Sequence, residues 1–80
     1  MFLLLNFLNN IMSQEIRNKI ANNIKKLRMG KHLKKEELSL ILRFDNSYIS
    51  KVENSRMNIT IDKLEKIAKY FKVETYKLLK

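Results

Sequence analysis

Between Lys34 and Asn58 the chain reads KKEELSLILRFDNSYISKVENSRMN, and its second half carries short polar side chains at helical spacing. Asn46, Ser47, Ser50 and Lys51 are of types that reach hydrogen-bonding edges without bulk. An Asn amide pairs bidentately with adenine, a Lys ammonium donates to guanine O6 and N7, and a Ser hydroxyl serves either base. Such groups suit a short helix lying in the major groove of DNA. Tyr48 has two readings: a ring packed at the turn with its hydroxyl offered to a phosphate, or a ring against a base step. Asn and Ser also favour helix starts for local reasons, the plain alternative for Asn46 and Ser47. Lys35 stands where the preceding helix should begin, and the free backbone N–H groups there attract an anion.

The bulk composition narrows the chemistry. Seventeen Lys and Arg stand against eight Asp and Glu in 80 residues, a net charge of +9. That balance points to a polyanionic partner, with nucleic acid ahead of an acidic surface, although a lysine-rich surface is often only solvated. There is no Cys, which excludes disulfides and thiolate metal sites and fits a reducing cytoplasm. The single His, His32, cannot build a zinc site alone. No Gly-rich phosphate loop and no nucleophile–base pair at a recognisable spacing competes. The residues imply no catalytic, metal or cofactor site and no enzyme.

These groups must be held by helices. Pro is absent, Gly occurs once, and few runs alternate apolar and polar residues, so the expected fold is all-α and one domain. Ile16, Ile20, Ile24 and Leu27 recur at spacings of 4, 4 and 3 and predict a helix over 14–29, with Ser13 as N-cap and Gly30 at its end. A second helix is expected over 34–42, with Leu38, Ile41 and Leu42 inward. A third should follow Asp45 as N-cap and run to Asn54, with Ile49 and Val52 inward. Thr60 should cap a fourth, Ile61 to Phe71, whose core stripe is Leu64, Ile67, Ala68 and Phe71. A short fifth closes the chain over 74–79, and Leu33 should plug the loop before the second.

Residues 1–12 (MFLLLNFLNNIM) stand apart from the domain at 13–80: nine of the twelve are apolar and none is charged. The run falls short of the ~20 residues a spanning helix needs and lacks the marks of a secretory signal. Three readings fit, in this order. The natural start lies at Met12; or the run is an extra helix packing Phe2, Leu5 and Leu8 (or Leu4, Leu8 and Ile11) on the domain or a second subunit; or it anchors weakly at a membrane surface.

From Ile24 to Leu79 the chain resembles the Cro/phage-repressor type of helix-turn-helix domain, the compact five-helix, lambda-repressor-like version. The frame is LKKEEL (33–38), YISKVEN (48–54), RMN (56–58) and LEKIAKYFKV (64–73), in continuous register. The resemblance implies base contacts from Asn46, Ser47, Tyr48, Ser50 and Lys51. It implies backbone phosphate contacts from Lys35 and from Asn54, Ser55 and Arg56, with Lys34 and Arg43 adding charge. It also implies a structural ion pair between Arg28 and Glu53, and a two-fold dimer through Tyr70, Val73, Tyr76 and Leu79, for which core closure is the equal alternative. Departures are Lys34 for a capping Ser or Thr, Lys35 for Gln, Ser39 for an Ala-like residue, Arg43 and Ser55 for Gly, and Ile59 for Pro. Positive φ at Arg43 would cost on the order of 1 kcal/mol.

The expectation is therefore a cytoplasmic, sequence-specific transcription regulator, a repressor-like homodimer on a palindromic operator. The narrower likeness is to controllers of restriction–modification systems. The alternative is an antitoxin that binds a toxin and represses its own operon. Double-stranded DNA is the expected partner, with RNA polymerase or a toxin as protein partners, and no membrane.

Overall fold

A computed structural model describes the backbone of residues 2–80 and the side chains from Gln14 onward. It contains four α-helices, α1 (Phe2–Gly30), α2 (Lys35–Ile41), α3 (Tyr48–Glu53) and α4 (Ile61–Phe71), and a closing 3-10 turn at Thr75–Leu79. No strand occurs among the described residues. The expected start of α1 differs: the helix runs from Phe2 and passes through Ser13 without beginning there. The expected packing of Phe2, Leu5 and Leu8 lies outside the described side chains.

The apolar stripes meet in one core. Ile24, Leu38, Ile49, Ile67 and Leu78 are fully buried, and Ile20, Leu42, Val52, Leu64 and Phe71 close around them. Burying each such side chain is worth roughly 1.5–3 kcal/mol. That matters most for α2 and α3, seven and six residues long. Helices this short do not persist alone, so packing holds them. α1 packs on α3 and the C-terminal turn, α2 packs on α3, and α4 packs on the C-terminal turn. Thr60 caps α4 by accepting from the Lys63 N–H at 3.2 Å. Leu33 is half-buried against the core.

Three expectations are corrected. Ile41 faces solvent, 46% exposed. At 100° per residue, Leu38, Ser39 and Leu42 already fill the inward arc of α2, and Ile41 falls about 105° from its centre. The chain end is a 3-10 turn rather than an α-helix, and it buries Leu78, leaving Leu79 exposed. The helix expected after Asp45 starts at Tyr48 instead, because the Asp45 carbonyl is used in a turn, accepting from the Tyr48 N–H at 2.9 Å.

All four helices end in the same way. His32, Arg43, Ser55 and Lys72 have φ between 57° and 61°. In each case the next residue's N–H reaches back five residues and its own N–H reaches back three: Leu33 to Arg28 and His32 to Met29, for example, at 3.2 and 3.0 Å. This is the Schellman closure, which usually places Gly at the left-handed position. Here none of the four is Gly, and the one glycine, Gly30, has no positive φ. Each side chain in that conformation costs about 1–2 kcal/mol, partly offset by a less flexible unfolded chain. His32→Gly and Lys72→Gly should therefore each stabilise the domain by about 0.5–1 kcal/mol, read as a raised urea midpoint at unchanged slope. A lowered midpoint in both would contradict this account of the helix ends.

Candidate nucleic-acid interface

The α2–turn–α3 unit is held from three sides. Ser39, fully buried on α2, donates from Oγ to the Lys35 carbonyl and accepts from the Ile49 N–H, both at 3.1 Å. Ile49 is the second residue of α3, and its N–H is one of the free donors of a helix start. Ser47 precedes the helix yet makes no side-chain cap. Ser39 thus does from the neighbouring helix what an N-cap residue usually does from its own. Replacing Ser39 by Ala should cost about 1–3 kcal/mol, the penalty for leaving a buried donor unpaired. Chemical denaturation measures it, and a change below a few tenths would mean that water replaces the hydroxyl.

The second support is a cation cluster on α4. The Phe44 and Tyr48 rings pack at a centroid distance of 4.7 Å. The Lys63 ammonium lies 4.5 Å from the Tyr48 ring centre, and that of Lys66 lies 5.1 Å from Phe44. The Lys66 Nζ also donates to the Leu42 carbonyl at the end of α2. Tyr48 is only 6% exposed, and burial pushes its hydroxyl pKa up. Its ring closes the turn against Phe44, as in the first of its two expected readings, and little of it faces solvent.

The third support joins α1 to the end of α3. Arg28 donates from Nε to Glu53 Oε2 at 2.7 Å and from Nη2 to Oε1 at 3.0 Å. Its Nη1 donates to the Leu33 carbonyl at 2.6 Å. The hydrogen bond to Glu53 holds the guanidinium pKa above its ordinary value, against the opposing effect of burial. The N-terminus of α2 is closed by Glu37, whose Oε1 accepts from the Lys34 N–H at 2.8 Å. That bond compensates for the absent Ser or Thr cap.

With Tyr48, Ile49 and Val52 inward, the outer side of this unit carries Asn46, Ser47, Lys51 and Asn54, all exposed, and Ser50, half-buried. A shallow cleft of about 350 Å³ is lined by Lys35, Glu36, Asn46, Ser47 and Ser50. The expected phosphate residue Lys35 and three expected base readers therefore share one concavity. Lys34 lies in an adjoining cleft with Arg28, Lys35 and Glu36. Arg56 is exposed and Ser55 half-buried just past α3, whereas Arg43 stands exposed at the turn, outside these clefts. Ser47 and Asn46 sit in the turn rather than within the helix.

The expected dimer residues divide. Tyr70 and Val73 pack on the core, while Tyr76 and Leu79 are 52% and 39% exposed. Sequence reasoning named Ser39 only in place of an Ala-like residue and missed its bonding role, and it missed Phe44, Lys63 and Lys66 altogether. A hydroxyl at an otherwise inward position was the one available signal, for Ser39. Among the described residues, no three His, Cys, Asp or Glu side chains gather to hold a metal ion. Nor is any helix there long and apolar enough to cross a membrane.

Residues 24–78 match the profile of a helix-turn-helix family. A relative described as a hypothetical transcription factor, from Neisseria meningitidis serogroup B, is 36% identical over 66 residues. That alignment covers 82% of this chain, which spans 62% of the relative's length. The crystal structure of a hypothetical transcription factor from Neisseria matches with a TM-score of 0.79 at 35% identity, covering 85% of this chain and 78% of that one.

Proposed function

Since this chain belongs to the helix-turn-helix family, of the Cro/phage-repressor type, we propose that it is a non-enzymatic, DNA-binding transcription regulator acting in the cytoplasm. The observation that carries this reading is the cleft shared by Lys35, Asn46, Ser47 and Ser50. It joins a cation at the start of α2 to short polar groups at the start of α3. In that arrangement α3 enters the major groove by its N-terminal end. Asn46, Ser47, Ser50 and Lys51 meet base edges, while Lys35, Lys34, Asn54, Ser55, Arg56 and Arg43 lie along the phosphates. The net charge of +9 supplies the long-range attraction.

The finer reading is a homodimer on a palindromic operator, as in restriction–modification controllers. A single six-residue helix reads few base pairs, and exposed Tyr76 and Leu79 at the chain end support a pairing face. Two such helices related by a two-fold axis read half-sites about 34–36 Å apart. Selection of bound duplexes from random DNA tests both levels together. The expected product is one inverted repeat with half-sites about one turn apart. Recovery of unrelated sequences rejects specific reading, and recovery of a single half-site rejects the dimer.

A further inference from the structure

We propose that Arg17 and Asn58 form a phosphate clamp that carries the DNA footprint onto α1, outside the helix-turn-helix; this rests on the DNA-binding reading above. Arg17, Ala21, Ile24 and Arg28 follow one another at spacings of 4, 3 and 4, so they share one face of α1. Ala21 and Ile24 are buried, and the two arginines bracket them, about 16 Å apart along the helix. Their partners differ in kind. Arg28 meets a carboxylate, Glu53, in the one ion pair among the described residues. Among the described residues, Arg17 meets amide oxygens alone. Its Nε donates to Asn58 Oδ1 at 3.0 Å, its Nη2 donates to the same atom, and its Nη1 reaches Gln14 Oε1 at 3.4 Å.

Neutral acceptors orient a guanidinium without cancelling its charge. Three of its five N–H groups are occupied, which leaves two, beside the amide NH2 of Asn58. The result is a fixed cation with several free donors in one place, the chemistry that receives a phosphate. Its position suits the duplex backbone. Asn58 is exposed, lies two residues past Arg56 in the link that leaves α3, and leads into the N-terminus of α4 at Ile61. The ordinary alternative is a strut that only fixes this link, and the two differ in their response to salt.

The test measures affinity for a selected duplex and for unrelated DNA between 50 and 200 mM salt, with parent, Arg17→Gln, Arg17→Lys and Asn58→Ala proteins, each checked for an unchanged thermal midpoint. A phosphate contact predicts that Arg17→Gln weakens both duplexes by the same factor. It also reduces the slope of log affinity against log salt by about 0.9 for each bound chain, so the loss across that range shrinks about 3.5-fold per chain. Arg17→Lys keeps the slope, and Asn58→Ala weakens binding in the same uniform way. An unchanged slope in Arg17→Gln, or an effect confined to the selected duplex, overturns the clamp while leaving the DNA-binding reading intact. A parent protein whose DNA affinity ignores salt overturns both.

Discussion

Glu53→Gln is expected to cost the domain about 3–5 kcal/mol, the usual consequence of removing one partner from a buried pair. The Glu53 side chain is 3% exposed and that of Arg28 is 10% exposed, so little water reaches either charge. The guanidinium is held by both carboxylate oxygens and by the Leu33 carbonyl. With the carboxylate neutralised, a full positive charge stays inside with only dipoles to receive it. Urea denaturation measures the loss, and salt should change it little, because a buried pair is poorly screened. The double variant Arg28→Met, Glu53→Leu removes both charges and should regain most of the loss, since packed apolar pairs of similar volume often equal or exceed the ion pair. A single-variant cost below about 1 kcal/mol would mean that the pair behaves like a solvated surface bridge. The double variant has a second use. If the pair fixes the angle of α3 against α1, a stable protein without it should lose discrimination between DNA sequences while retaining salt-dependent binding.

What the sequence reveals, and what it hides, divides along a physical line. Spacing alone places Ile20, Ile24, Ile49, Val52, Leu64, Ile67 and Phe71 inside, because each lies on a stripe of three or more residues or beside a clear turn. Thr60 is legible as a cap for a local reason, since its hydroxyl serves its own helix. Ile41 misleads because α2 has only two turns, and in so short a helix one residue shifts the centre of the buried arc. Leu78 is hidden because the terminal turn repeats every three residues rather than 3.6, which moves the inward position by one. The roles of Ser39 and Lys66 were not legible. Each serves a backbone group on a different element, Ile49 N–H or Leu42 carbonyl, and depends on how the helices approach. The residues proposed to read DNA are the converse. They stand out in the sequence because no core requirement explains them, and the fold leaves Asn46, Ser47 and Lys51 exposed.

Salt should reveal both the interface and its symmetry. Four cations are assigned to phosphates in the helix-turn-helix, Lys34, Lys35, Arg43 and Arg56. From these four alone, at about 0.9 released counterions per phosphate, one chain on DNA contributes a slope near −3.6 and two chains on a palindrome about −7, to which the Arg17 clamp adds about −0.9 per chain. Between 50 and 200 mM salt, affinity then falls about 150-fold for one chain and about 10⁴-fold for two. The measurement is a titration of the selected duplex across that range, with the stoichiometry taken at saturation. Lys35→Ala should weaken every sequence alike and, in a dimer, flatten the slope by about 2, one contact from each half. Lys51→Ala should act differently. Its ammonium is assigned to a base edge, so its loss should narrow the gap between the preferred and altered half-sites by about 1–3 kcal/mol per half. Those two variants separate positioning from reading. If they shift affinity, slope and preference in the same proportions, the division of labour proposed for this face is wrong, and a slope near −4 with one chain per duplex removes the two-fold assembly.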